Sequence, residues 1–111
     1  MTTVSYLKVN VPYRYKDALF EEIKLLGVGV DNKWYVEQLA NGVYQVELTR
    51  DYLSRIDYLE TILDRWRDNV PVIRYHIFIY DAENAWPRSI RINRDGKKIE
   101  TRRQTKFGDG L

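Results

Sequence analysis

The spacing of apolar side chains along the chain predicts four strands and two helices. Residues 4–11 alternate apolar and polar side chains with the period of two that is typical of a half-buried strand. Apolar side chains recur every three or four residues over 13–26 and 50–67, which indicates two amphipathic helices. Further strand-like runs occupy 33–38, 43–48 and 72–80. The predicted order is therefore β-α-β-β-α-β.

This order predicts an α+β fold of the ferredoxin-like kind, an antiparallel sheet with both helices on one face. Asn41-Gly42 predicts a tight turn between the second and third strands, because both residues tolerate a positive φ. A second turn signal, Asp95-Gly96, lies beyond the fourth strand and predicts an additional C-terminal β-hairpin.

Length and composition favour a single cytoplasmic domain. The 111 residues are enough to bury a core without covalent cross-links. The absence of cysteine excludes disulfides and thiol chemistry, and it suits a reducing compartment. The sequence shows neither a leader peptide nor an apolar run of membrane-spanning length, so we expect no membrane partner. We expect the domain to span 1–101, followed by a mobile basic tail over 102–111.

Basic residues are concentrated at the C-terminal end of the chain. Residues 1–87 carry 10 Lys and Arg against 13 Asp and Glu, whereas residues 88–111 carry eight against three. Clustered cations indicate a negatively charged partner, either the phosphates of a nucleic acid or an acidic host protein surface. A solvated basic hairpin without a partner is the alternative. The candidate binding residues are Arg88, Arg91, Arg94, Lys97, Lys98, Arg102, Arg103 and Lys106.

A second candidate surface is the sheet face that the predicted helices do not cover. Aromatic rings interleaved with Lys and Arg are suited to stacking on unpaired bases. The pattern is not that of an RNA-recognition motif, whose third strand needs aromatics where this chain has Val43 and Gln45. In the alternative interpretation, the hairpin or a second subunit covers this face and the rings belong to the core. Strand alternation places these side chains on the face: Tyr6, Lys8, Arg74, His76, Phe78 and Tyr80.

The titratable residues do not indicate an enzyme. His76 is the only histidine, and one histidine with scattered carboxylates does not readily supply a zinc site. The sequence has neither a Gly-x-x-x-x-Gly-Lys phosphate loop nor a Gly-x-Ser-x-Gly nucleophile turn. We therefore expect no catalytic residues, no metal and no cofactor.

Residues 11–36 contain the sequences VPYRYKD, IKLLG and KWYV. This segment resembles a short domain of unknown function in plasmid and phage proteins, often fused to DNA primases or antirestriction proteins. The sequence departs from that domain at Val30, where the pattern has Trp, and the segment before Trp34 is shorter. The resemblance implies a role in mobile-element DNA metabolism or counter-defence, and no catalytic residues. The matching residues are Val11, Pro12, Tyr13, Lys16, Asp17, Lys24, Leu26, Gly27, Asp31, Lys33, Trp34, Tyr35 and Val36.

Two functional hypotheses follow from these patterns. The first is a non-enzymatic nucleic-acid-binding accessory protein of a phage or plasmid, whose C-terminal basic hairpin binds phosphates. The second is a phage or mobile-element inhibitor of the anti-CRISPR or antirestriction type, which binds a host defence protein through protein–protein contacts. A homodimer is compatible with either hypothesis.

Overall fold

The computed structural model describes residues 5–26, 35–80 and 87–102. The order β-α-β-β-α-β followed by a hairpin is present, with two long helices and one helical turn between them. No helix in these ranges is long and apolar enough to cross a membrane. The elements are β1 (Tyr6–Asn10), α1 (Tyr13–Leu25), β2 (Val36–Ala40), β3 (Val43–Glu47), α2 (Arg50–Leu53), α3 (Ile56–Asn69), β4 (Arg74–Ile79), β5 (Arg88–Ile92) and β6 (Lys98–Arg102).

All six strands form one antiparallel sheet in the order β2-β3-β1-β4-β5-β6. The full order is not that of the classic ferredoxin sheet, so the ferredoxin-like prediction is corrected to an α+β fold with a six-stranded sheet. The physical reason lies at the edge of β4. There β5 pairs with β4, with Ile77 opposite Ile90, and the hairpin satisfies backbone groups that an edge strand would expose.

The core lies between one face of this sheet and the two long helices. The burial pattern confirms the predicted alternation of β1, because Leu7 and Val9 are fully buried while Tyr6 and Lys8 are only half-buried. The helices contribute a stripe at helical spacing. The fully buried core residues of the sheet and the helices include Leu7, Val9, Val46, Ile77, Ile90, Leu19, Ile23, Leu59 and Leu63.

The second predicted helix is broken in two. A turn at Ser54-Arg55 separates α2 from α3, and Arg55 has non-helical torsions of φ −126° and ψ 33°. The guanidinium of Arg55 donates to the carbonyl of Leu26 at the end of α1, so the break is tied to the neighbouring helix. Tyr52 and Ile56 are buried on either side of the turn. The predicted continuous helix over 50–67 is therefore wrong at this point.

A polar network joins α3 to the sheet. The Lys98 ammonium lies 2.5 Å from carboxylate oxygens of both Glu60 and Asp64, and the Tyr75 hydroxyl donates to Asp64 over 2.8 Å. Burial and the Asp64 carboxylate raise the pKa of Tyr75 well above its ordinary value. Burial opposes ionisation of Asp64, but hydrogen bonds from Lys98 and Tyr75 outweigh it and hold the pKa of Asp64 below its usual range. The network fixes β6 against α3.

Both predicted hairpin turns are confirmed. Gly42 and Gly96 adopt φ values of +79° and +85°, the left-handed region that the Asn-Gly and Asp-Gly pairs favour. The Gly42 carbonyl accepts a hydrogen bond from the Val11 N–H over 2.9 Å, which brings the first turn to the start of α1. The predicted mobile tail lies outside the described residues from 103 onward.

Candidate functional site

The sheet has one face that no described element covers, here called the open face. The long helices pack on the opposite face, and the C-terminal hairpin extends the sheet in its own plane. The hairpin therefore does not cover the aromatic rings, whereas coverage by a second subunit remains an alternative. The centre of the open face is formed by β1, β4 and β5 through Tyr6, Lys8, Asn10, Arg74, His76, Phe78, Ser89 and Arg91.

Three aromatic side chains contact one another on the open face. Tyr6 and Phe78 are direct cross-strand neighbours, and their rings stack with centroids 5.3 Å apart at an interplanar angle of 23°. His76 meets Tyr6 edge-on at 5.7 Å. All three side chains are half-buried, so the cluster is a fixed platform that keeps part of its aromatic surface accessible.

A row of basic side chains crosses three strands beside this platform. Lys8 on β1 lies directly opposite His76 on β4, and His76 lies directly opposite Arg91 on β5. With strands about 4.8 Å apart, Lys8 and Arg91 flank the imidazole from either side. A shallow groove of about 310 Å³ adjoins this row, with Asn10 and Arg74 also in its lining. The register thus brings together residues that are far apart in the sequence.

The imidazole of His76 is held in place by a neighbouring hydroxyl. Its Nε2 lies 2.7 Å from the Ser89 Oγ across the β4–β5 pair. Burial, together with the charges of Lys8 and Arg91, lowers the pKa of His76 below its ordinary value. The neutral form of the ring is therefore favoured over the charged form. Within the described ranges, no three His, Cys, Asp or Glu side chains are grouped as a metal site would require.

The structure describes the side chains of five of the eight predicted basic residues, and it does not bring these five together. Arg88 and Lys98 lie on the helix side of the sheet, where Arg88 pairs with Glu100 at 2.6 Å and Lys98 joins the α3 network. Arg91 lies on the open face. Arg94 and Lys97 are exposed around the hairpin turn, Arg102 is described only as backbone of β6, and Arg103 and Lys106 lie outside the described residues.

The open face changes sign from one end to the other. Glu47 on β3 lies opposite Tyr6, and Glu37 on β2 lies opposite Gln45, so the β2–β3 end carries carboxylates. The basic row lies toward β4 and β5. An anionic partner is therefore attracted to one half of the face and repelled by the other.

One contributor to this surface, Ser89, is absent from the sequence-based prediction. Ser89 holds His76, and alternation from Arg91 back to Ser89 carries the signal for it. Asn10, which alternation in β1 predicts on the same face as Tyr6 and Lys8, lines the groove. Tyr80, which the prediction places on the face, lies just beyond β4, where its N–H donates to the Ser5 hydroxyl over 2.9 Å.

Comparison with protein-family models, with curated proteins and with solved structures gives no significant match. The resemblance of residues 11–36 to a mobile-element domain therefore stays a prediction. Residues 27–34 of that segment lie outside the described residues.

Proposed function

We propose that this protein is a non-enzymatic binding protein for single-stranded nucleic acid and that the open face is its binding surface. The observation that carries the proposal is the position of the Tyr6–Phe78 stack next to the basic row of Lys8, His76 and Arg91. Aromatic platforms bind bases of any sequence through their π-faces, and adjacent cations bind the phosphates. The two features are two residues apart along β1, a distance of about 6.8 Å.

Single-stranded nucleic acid suits this face better than a duplex does. Stacking needs a base that is not enclosed between its neighbours in a double helix, and the rings lie on a sheet rather than on an element that enters a groove. Three of the predicted C-terminal cations, Arg91, Arg94 and Lys97, lie on or near the open face. Their contacts with phosphates do not depend on the base sequence. Binding is therefore expected to be salt-sensitive and to discriminate little between sequences.

The biological setting of this proposal is an accessory role in the DNA or RNA metabolism of a phage or plasmid. The support for it is the resemblance of residues 11–36 to a domain in mobile-element proteins. The setting and the binding activity are separate parts of the proposal, because the resemblance covers the N-terminal segment and the binding surface is built mainly from β1, β4 and β5.

The proposal is tested by fluorescence anisotropy with labelled single-stranded and duplex oligonucleotides at several salt concentrations. Phe78→Leu keeps an apolar side chain but removes the ring, and we expect it to weaken single-strand binding by about 5- to 150-fold, since one base–aromatic stack contributes about 1–3 kcal/mol. Tyr58→Leu is the matched control, because Tyr58 is 68% exposed on α3, on the helix side of the sheet. No binding at low salt, or equal losses in both variants, would refute the proposal.

One observation favours the second candidate, an inhibitor that binds a host defence protein. In the described part of the chain β2 is an edge strand, and Tyr35, Val36 and Leu39 are 48%, 41% and 43% exposed. Exposed apolar side chains on an unpaired edge are suited to pairing with a strand of another protein. A host protein retained after nuclease treatment by the wild type, and lost with Leu39→Lys, would favour this candidate over nucleic-acid binding.

A further inference from the structure

We propose that the groove between β1, β4 and β5 is a binding site for one phosphate group, held between Lys8 and Arg91 above the His76 ring. The inference rests on the proposed function for its ligand class, a nucleotide phosphate, and it assigns that group to one place on the open face. The cross-strand register supplies the geometry, since Lys8, His76 and Arg91 form a single row. The groove beside them, about 310 Å³, has room for a tetrahedral oxyanion.

Among the described residues, the cations around this groove lack the counter-charges that Arg88 and Lys98 have. Within the described residues, no carboxylate forms an ion pair with Lys8, Arg74 or Arg91. On the helix side, by contrast, Lys98 is held by two carboxylates and Arg88 by one. Cations gathered without a counter-ion repel one another, and a bound anion relieves that repulsion.

Arg74 supplies positive charge from a fixed position. Its Nη1 donates to the carbonyls of Pro71 at 2.5 Å and Ile73 at 3.0 Å, so the guanidinium is held against the chain before β4. The hairpin turn lies on its other side, and a methyl group added at Gly96 would contact the Arg74 Nη2 at 3.6 Å. Lys8 and Arg91 have no such backbone contacts among the described residues, which leaves their donors for a ligand.

The His76 ring gives the site a pH dependence of defined sign. The groups around it are Tyr6 and Lys8 on β1, Arg74 and Phe78 on its own strand, and Ser89 and Arg91 on β5. Its pKa is lowered in the free protein by burial and by Lys8 and Arg91. An anion between those two cations offsets their charge and raises the pKa of the ring. Binding therefore takes up a proton, and it tightens as pH falls.

The test is an NMR titration of the whole chain, in which the His76 ring is the reporter. Because the sequence contains one histidine, its ring signals are assigned without ambiguity. The probes are inorganic phosphate, sulfate and thymidine 5′-monophosphate, followed by a short single-stranded oligonucleotide. Sulfate does not titrate between pH 5 and 8, so a pH dependence of sulfate binding reports the protein alone. Saturable shifts and an increase in the pKa of His76 are expected with each anion.

Substitutions distinguish a defined anion-binding site from non-specific electrostatic attraction of the anion. Arg91→Gln and Lys8→Gln are each expected to weaken sulfate binding about tenfold, the effect of losing one charge-assisted hydrogen bond. Lys24→Gln removes one charge from an exposed position in the last turn of α1, away from the open face, and is the matched control, with little change expected. A dispersed spectrum of each variant verifies folding. Non-saturating shifts, or equal weakening by Lys24→Gln and Arg91→Gln, would overturn the assignment.

The same titration distinguishes this inference from the proposed function. Saturable anion binding that depends on Arg91, without oligonucleotide binding, supports the phosphate site and refutes the proposed function. Oligonucleotide binding that depends on Phe78 but not on Arg91, with His76 signals unchanged, refutes the phosphate site and leaves the proposed function standing.

Discussion

Replacing Asp64 with Asn tests whether the polar network stabilises the fold by fixing β6 against α3. The carboxylate accepts hydrogen bonds from the Tyr75 hydroxyl at 2.8 Å, the Lys98 ammonium at 2.5 Å and Arg67 at 3.3 Å. A hydrogen bond to a charged group contributes about 1.5–3 kcal/mol when buried. The side chains of Asp64 and Lys98 are 35% and 33% exposed, so solvent weakens these bonds.

We expect Asp64→Asn to lower the free energy of unfolding by about 1–2 kcal/mol, because the amide keeps one acceptor oxygen for Tyr75 but loses the charge opposite Lys98. For a domain of this size, that corresponds to a decrease in Tm of about 4–8 °C. Thermal and urea unfolding followed by circular dichroism measure both quantities. Asp68→Asn is the matched control, one turn further along α3, exposed and without a hydrogen-bond partner among the described residues.

The pH dependence provides a second and independent measure. The pKa of Asp64 is lowered in the folded state, so its contribution is fully present above the pKa of the unfolded chain, about 4, and is lost as pH falls through the folded pKa. The stability difference between the wild type and Asp64→Asn should therefore be constant from pH 6 to 8 and shrink below about pH 4. Equal effects of the Asp64 and Asp68 substitutions, or a difference that persists in strong acid, would refute the reasoning.

Three further predictions concern the hairpin, the core and the binding surface. Gly96→Ala should lower the free energy of unfolding by about 1–2 kcal/mol in urea titrations, because alanine at a φ of +85° is strained. Ile90→Ala should cost about 2–5 kcal/mol in the same assay, whereas Val72→Ala, at a side chain that is 62% exposed, should cost less than about 0.5 kcal/mol. If Arg91 binds a phosphate, Arg91→Gln should reduce the slope of log K against log salt by about 0.7, as measured by anisotropy with single-stranded oligonucleotides.

Local patterns predict the elements well where one face of an element is buried. In β1 the alternation of Leu7 and Val9 with polar neighbours is sufficient, since a shift of one residue would expose every apolar side chain. The break after α2 is not visible in the sequence, because Tyr52 and Ile56 are four residues apart and fit one continuous helical stripe. The turn is held by Arg55 and the end of α1, a contact between distant parts of the chain.

The candidate site likewise depends partly on local sequence signals and partly on contacts between distant parts of the chain. Asp95-Gly96 predicts that a hairpin forms, but no local signal states that it pairs with β4. Without that pairing, Arg91 cannot be placed beside His76. The sequence does predict that Arg88 faces the helix side, opposite to Arg91, because Arg88 and the buried Ile90 are two residues apart on the same strand.

The reversal of charge along the open face sets a boundary for any polyanion that lies on it. Glu37 and Glu47 occupy the β2–β3 end, so the usable width runs from β1 to β6, three strand spacings or about 14 Å. A strand of nucleic acid crossing that width has a short footprint, at the lower end of the range of about 4–16 nucleotides known for single-strand binding folds.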